Sequence, residues 1–263
     1  MKRGIKLKVL AIGDLIGSSG IKKLKNELPK IIENEKIDFV IVNGENSAEG
    51  MGITKRNFED ILEEKVDVIT MGNHTWGKKD IFQFIDHPKL LRPANYPKGV
   101  VGKGYNIYSC KNKKIAVINL IGRVDINVLS ENPFIIAKEI INKIKNQVDM
   151  IFVDFHAEAT AEKIAMGNFL DGNVTAVYGT HTHVQTADEK ILPKGTAYIT
   201  DIGMTGPKNS VIGMDIQASI KRFETTLPER YKIATGECFL NGIIFEIDDN
   251  TNKVNKIKRI NVE

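Results

Sequence analysis

The sequence predicts an α/β fold whose strands are buried on both faces, and three features carry that prediction. Short runs rich in Val and Ile recur, each closed by Gly, Asn, Asp or His, with amphipathic stretches between several of them. The runs are continuously apolar rather than alternating, as in strands sandwiched between other layers. In chain order, Lys8 to Ile12 reads as a strand closed by Gly13-Asp14, and an amphipathic helix follows over Ile21 to Glu33. Phe39 to Asn43 is closed by Gly44-Glu45-Asn46 and precedes a helical pattern over Lys55 to Glu64. Val66 to Met71 is closed by Gly72-Asn73-His74, with a helical pattern over Lys78 to Ile85. Residues Asp86 to Tyr108, rich in proline and glycine, read as a long loop, a feature that is often functional in a compact domain. Strands then follow at Ile115 to Leu120, Met150 to Phe155, Val174 to Tyr178 and Ala197 to Thr200, with helices at Pro133 to Lys145 and Thr160 to Phe169. Met204 to Gly213 reads as a second loop and Asp215 to Phe223 as a helix. Gly242 to Ile247 and Val254 to Ile260 alternate better and flank Asp-Asp-Asn-Thr-Asn, the pattern of an antiparallel hairpin. No repeat, low-complexity tract or linker divides the chain, so one domain over residues 1–263 is expected.

Composition narrows the class. With 263 residues, 42% hydrophobic and 27% charged, the chain is no disordered or fibrous sequence and is long enough to bury a large core. The 37 Lys+Arg against 33 Asp+Glu leave only +4, and the lysine pairs are scattered, so a solvated surface explains them better than nucleic acid does. Cys110 and Cys238 lack the spacing of a disulfide framework or a metal pair, which points to a reducing, cytoplasmic setting. The positively charged start precedes an apolar run, Val9 to Ile12, too short for a signal peptide, and no stretch approaches a membrane span.

The chemistry lies where the strands end. Five predicted strands finish in potential metal ligands: Asp14, Glu45 with Asn46, Asn73 with His74, His156, and His181 with His183. In α/β folds the carboxyl ends of strands share one edge, so groups far apart in sequence converge there. Four of the five histidines fall at these ends; only His87, in a turn before Pro88, does not. Each motif alone has a plainer explanation, since Gly-Asp or Asn-His after a strand is usually a turn or cap. Their joint placement is what independent turns would not require. His181 and His183 alternate by two and, in an extended segment, would point the same way. A nitrogen and oxygen set without thiolate suits Zn, Fe, Mn or Co.

The order GD, GEN, GNH, lone His and G-x-H-x-H resembles the calcineurin-like metallophosphoesterases. GDLIG in place of D-x-H, GEN in place of GD-x-x-D and GTHTH in place of GHxH depart from the general pattern. Those departures, with NGENSAEGMGI, TMGNHTWG, LRPANYP, DFHAEAT, THTHVQTAD and TDIGMTGP, look like the bacterial YmdB-like subgroup. The resemblance implies a four-layer α/β/β/α sandwich of two packed mixed sheets. It implies that Asp14, Glu45 and His183 bind one metal with Asn46 near it, that Asn73, His156 and His181 bind a second, and that Glu45 bridges both. His74 would face the substrate as the catalytic general acid. Two transition-metal ions are implied; with one imidazole fewer than usual, iron is favoured and manganese or zinc is the alternative.

The implied activity is phosphodiester hydrolysis by a hydroxide shared between two cations, with 2′,3′-cyclic nucleotides cut to 3′-nucleotides as the favoured substrates and 3′,5′-cyclic nucleotides as weaker ones. A homo-oligomer, dimer or tetramer, and a link to RNA turnover are implied as well. The competing readings are a phosphomonoesterase or protein phosphatase on the same metals, and an RNA-associated regulatory protein with a mainly structural metal site. Asp154, Glu158 and Asp201 are candidate orienting acceptors for the imidazoles. Trp76, two residues after His74, either walls the site or packs under its loop; Lys208 could meet a phosphate but reads better as a solvated turn, and Arg92 to Asn95 have no evident chemical role.

Overall fold

The structure is a computed structural model that describes residues 6–230 and 232–263; the charged residues 1–5, weighed above as a leader, lie outside it. The chain begins with β1 (Lys6–Ile12), β2 (Asp14–Leu15), α1 (Gly17–Glu35), β3 (Phe39–Asn43), α2 (Lys55–Leu62), β4 (Val68–Thr70), a 3₁₀ turn (Lys79–Gln83) and β5 (Leu90–Leu91). It continues through β6 (Tyr105–Cys110), β7 (Lys113–Ile121), α3 (Pro133–Ile144), β8 (Met150–His156), α4 (Thr160–Leu170) and β9 (Ala176–Thr180). Then come β10 (Lys190–Ile191), β11 (Ala197–Ile199), β12 (Met204–Pro207), α5 (Ile216–Thr225), β13 (Cys238–Asp248) and β14 (Lys253–Val262).

Two mixed sheets result. The first runs β2-β12-β13-β1-β3-β4-β5 with β14 on β13, and the second runs β10-β11-β9-β8-β7-β6. β1, β3, β4 and β5 are mutually parallel, as are β7, β8, β9 and β11.

Side-chain alternation explains why the strands read as continuously apolar. In β1, Leu7, Val9 and Ala11 enter a layer between the sheets with Phe39, Ile41, Val117, Phe152 and Phe245, while Leu10 and Ile12 turn outward onto α1 and α2. In β8, Phe152 faces the intersheet layer, and Ile151, Val153 and Phe155 meet α3 and α4. Three apolar layers between four structural ones give the expected α/β/β/α sandwich, each fully buried large side chain contributing about 1.5–3 kcal/mol. Among the described residues no helix is long and apolar enough to cross a membrane.

The departures from the sequence reading are local. Lys78 to Ile85 is a 3₁₀ turn rather than a helix: Phe84 and Ile85 both donate to the Ile81 carbonyl, and the chain then folds back toward Pro88. Tyr105–Cys110, mostly read as loop, is an edge strand paired with β7 through a hairpin whose Lys111 has φ 52°. Met204–Pro207 is a strand too, held between β2 and β13. The predicted C-terminal hairpin forms, and β13 begins four residues earlier than expected.

Candidate metal centre and active site

The sequence reading puts the ligands on one sheet edge; they come from both sheets. β1, β3 and β4 lead to Asp14, Glu45 and Asn73-His74, while β8 ends on His156 and β9 leads into His181 and His183. The carboxyl ends of the two parallel sets meet where the sandwich closes. Asp14, Glu45 and His156 are fully buried, and His74 is about one-third exposed at the mouth.

Lone pairs crowd around His156. Its Nε2 lies 2.9 Å from Glu45 Oε1, 2.9 Å from Asn73 Oδ1 and 3.0 Å from His181 Nδ1. Below it, Thr180 donates its hydroxyl to Asp154 Oδ1 at 2.7 Å, so Thr180 Oγ1 is left to accept from His156 Nδ1 at 2.9 Å. That fixes Nδ1 as the protonated nitrogen and turns the Nε2 lone pair inward. On His181, Nε2 lies 3.1 Å from Glu158 Oε2 and donates there, turning Nδ1 inward. Glu45 Oε1 is buried with no hydrogen bond of its own. One proton cannot serve three acceptors around one nitrogen, whereas a cation serves them all.

Gly72 completes the cradle. A Cβ there would lie 2.3 Å from His156 Cδ2 and 2.4 Å from Glu45 Oε2, so a side chain would fill the cluster. The residues therefore fit a metal ion, with Glu45, His156 and His181 the tightest set.

Without a cation, the electrostatics draw a proton to His156 Nε2 in its place. Burial raises the cost of the Glu45 charge, yet the facing His156 and His74 hold its carboxyl down to about 2. Burial disfavours the charged form of His156, but Glu45 and Asp14 push it up to about 9. Burial and the neighbouring His156 lower His181 to about 3, keeping its ring neutral as a ligand must be. Burial lifts the Asp154 carboxyl to about 6, against the hydroxyl donors Thr70 and Thr180.

A second group lies beside the first. His183 Nε2 is 3.8 Å from Asp14 Oδ1, and its Nδ1 donates to the Ile212 carbonyl at 2.8 Å. Asn46 joins the groups: its Oδ1 accepts from His74 Nδ1 at 2.8 Å, and its Nδ2 faces His183 Nε2 at 3.1 Å and Asp14 Oδ1 at 3.4 Å. In this rotamer Asn46 offers the second group an amide nitrogen, a donor and no ligand; turning the amide over exchanges the two ends. The extended geometry expected of His181 and His183 does not occur. β9 stops at Thr180, and both histidines take left-handed φ, 99° and 66°, which sends one to His156 and the other to Asp14.

Several supports are invisible in the sequence. Lys163 is buried in α4 and donates to Asp201 Oδ2 at 2.7 Å, an oxygen that also accepts from the Thr182 backbone N–H (3.1 Å) and hydroxyl (2.8 Å). This pair pins the residue between the two histidines. Lys163→Met leaves Asp201 buried and uncompensated, so a loss of about 3–5 kcal/mol by denaturant unfolding is expected, with weaker metal retention in the folded fraction. Tyr96 donates its hydroxyl to the Gly72 carbonyl at 3.0 Å, and Arg92 donates to the carbonyls of Pro93, Val100 and Val101. Arg92 to Tyr96, a stretch with no chemical role legible in its residues, thus braces the loop carrying Asn73 and His74. Trp76 stacks on Phe82 as a packing residue, and Lys208 pairs with Glu263 at the surface.

A sequence model of the YmdB-like protein family matches residues 10–260. The chain belongs to the YmdB-like family. Its relatives include a Bacillus subtilis (strain 168) protein named 2′,3′-cyclic-nucleotide 2′-phosphodiesterase, 51% identical over 255 residues and covering 97% of this chain and 96% of that one. Among solved structures, a Mycoplasma pneumoniae protein described as a novel phosphatase superposes with a TM-score of 0.93 at 40% identity, covering 98% of this chain and 94% of its own. A hypothetical protein from Thermus thermophilus gives 0.91 at 34% identity, covering 97% and 98%. The YmdB-like chain thus has the metallophosphoesterase-type sandwich that its motif order implied.

Proposed function

We propose that this YmdB-like chain, a single domain over residues 1–263, is a metal-dependent phosphodiesterase that opens 2′,3′-cyclic nucleotides at the 2′ ester and releases 3′-nucleotides. The carrying observation is the ring of inward lone pairs about His156 Nε2, with the buried, hydrogen-bond-free Glu45 Oε1 among them. The substrate follows from the Bacillus subtilis relative's name together with this geometry.

Asn73, His156 and His181 would hold one ion, Asp14 and His183 a second with Asn46 beside it, and Glu45 would serve both. Bound cations supply Lewis acidity, lowering the pKa of a water and drawing charge from phosphoryl oxygens. The chain does the rest. Asn73 contributes a neutral oxygen, limiting negative charge around an anionic substrate. Asn46 orients His74 through Nδ1, leaving Nε2 for the cleft, where a protonated ring gives its proton to the departing 2′ oxygen. Glu158 and Asp154 hold the tautomers of His181 and His156. The oxygen-rich set favours iron, with manganese or zinc as substitutes. A cytoplasmic homo-oligomer with a role in RNA turnover completes the reading.

The test is elemental analysis of protein purified without added metal, beside product analysis with 2′,3′-cyclic AMP and turnover of mono- and bis-nitrophenyl phosphate. About two metals per chain, 3′-AMP as product and preference for the diester are expected. Preference for the monoester would make the chain a phosphomonoesterase. Fewer than one metal per chain would favour the regulatory alternative.

A further inference from the structure

Between β12 and β13 the chain makes an excursion that carries α5, and α5 buries none of its side chains. It joins none of the three apolar layers and is held by local ties: Asp215 Oδ1 accepts from Ala218 N–H at 2.9 Å, and Asp215 N–H donates to the Lys232 carbonyl at 2.8 Å. A hollow of about 230 Å³ lies between this helix and the turn at residues 211–214. Ile212 and Met214 line both that hollow and the catalytic cleft, so one pair of side chains separates the two.

Ile212 takes φ 47°, a conformation that costs a β-branched residue about 1–3 kcal/mol. In that conformation its carbonyl meets His183 Nδ1 at 2.8 Å while its side chain stays half-exposed. One residue therefore stands between cluster and hollow, as a ribose stands between phosphate and base. On the far side Phe223 is 81% exposed, and Arg222 beside it lines the hollow. An aromatic ring and a guanidinium plane offer a flat ligand stacking surfaces. Arg230 and Lys232 line it with positive charge and Glu229 with negative, so both donors and an acceptor for a base's polar edge are at hand.

We propose that this hollow seats the base of the nucleotide whose phosphodiester is cut at the cluster, with Ile212 and Met214 as its floor and Phe223 and Arg222 as its wall. The inference rests on the diesterase reading and deepens it.

The experiment compares kcat/KM for 2′,3′-cyclic AMP with that for 1-O-methylribose 2′,3′-cyclic phosphate, which has no base. The native enzyme prefers the nucleotide, and Phe223→Ala and Ala218→Trp, which respectively remove the wall and fill the hollow, lower that preference about tenfold through KM. Phe223→Trp retains it. A preference equal in all four proteins overturns the proposal. A fall in assembly mass by light scattering in Phe223→Ala, with the preference kept, also overturns it and places a second copy of the chain on this face. Native enzyme that hydrolyses neither compound overturns the diesterase reading itself, an outcome distinct from hydrolysis without base preference.

Discussion

His74→Ala should lower turnover of 2′,3′-cyclic AMP by about 10²–10⁴-fold and leave the metal content of the protein unchanged. The separation follows from which atoms of His74 do what. The contact that holds Glu45 is made by the His74 backbone N–H, which donates to Glu45 Oε2 at 2.9 Å and which alanine keeps. The imidazole touches the cluster only from outside, through Asn46 Oδ1 at 2.8 Å and at 3.5 Å from Glu45 Oε1. Truncation therefore removes the proton donor and opens the mouth of the cleft without removing a ligand. Elemental analysis and steady-state kinetics on the same preparation check this. Loss of metal together with activity would make His74 a ligand, and turnover within a few-fold of native would remove it from the chemistry.

Glu45→Gln should cost both metal and activity. Glu45 supplies the carboxylate nearest to His156 and is itself fully buried. The amide halves the acceptor set, removes the charge, and either points N–H groups at the lone pairs of Asn73, His156 and His181 or turns them on the His74 backbone N–H. Metal content should fall below that of the native protein, and turnover should fall by more than the ~10–100-fold typical of a change in a ligand's hydrogen-bond partner. Native metal content with native turnover would show that Glu45 serves neither ion.

Much of this site is legible in the sequence because its residue types are rare or costly where they stand. Histidines are few in the chain, and four of the five gather with Asp14, Glu45 and Asn73 after apolar runs, so the set is legible jointly where no single member is. The layers are legible because continuous Val/Ile runs have little alternative to burial on both faces. Lys163 is not, since Ala-Glu-Lys-Ile-Ala-Met reads like any amphipathic turn and only tertiary contact with Asp201 makes its lysine internal. β2, β5 and β10, two residues each, are shorter than any period that could reveal them. The turn of His181 and His183 escapes the spacing argument because a separation of two implies a shared face only while the backbone stays extended, and both φ values are left-handed. Ile212 carries no signal either: a β-branched residue gives no hint that the backbone will be driven into that region.

Because β3 and β4 bring Glu45 and Asn73 from one sheet while β8 and β9 bring His156 and His181 from the other, the donor set is a gauge of sheet alignment. Sliding one sheet against the other by an ångström would pull Glu45 from His156 before it broke a single strand pairing. A substitution deep between the sheets, at the Phe152–Phe245 contact for instance, would thus be felt first as a change in ion retention and only later as unfolding. The packing that makes the sandwich cohere also calibrates its chemistry.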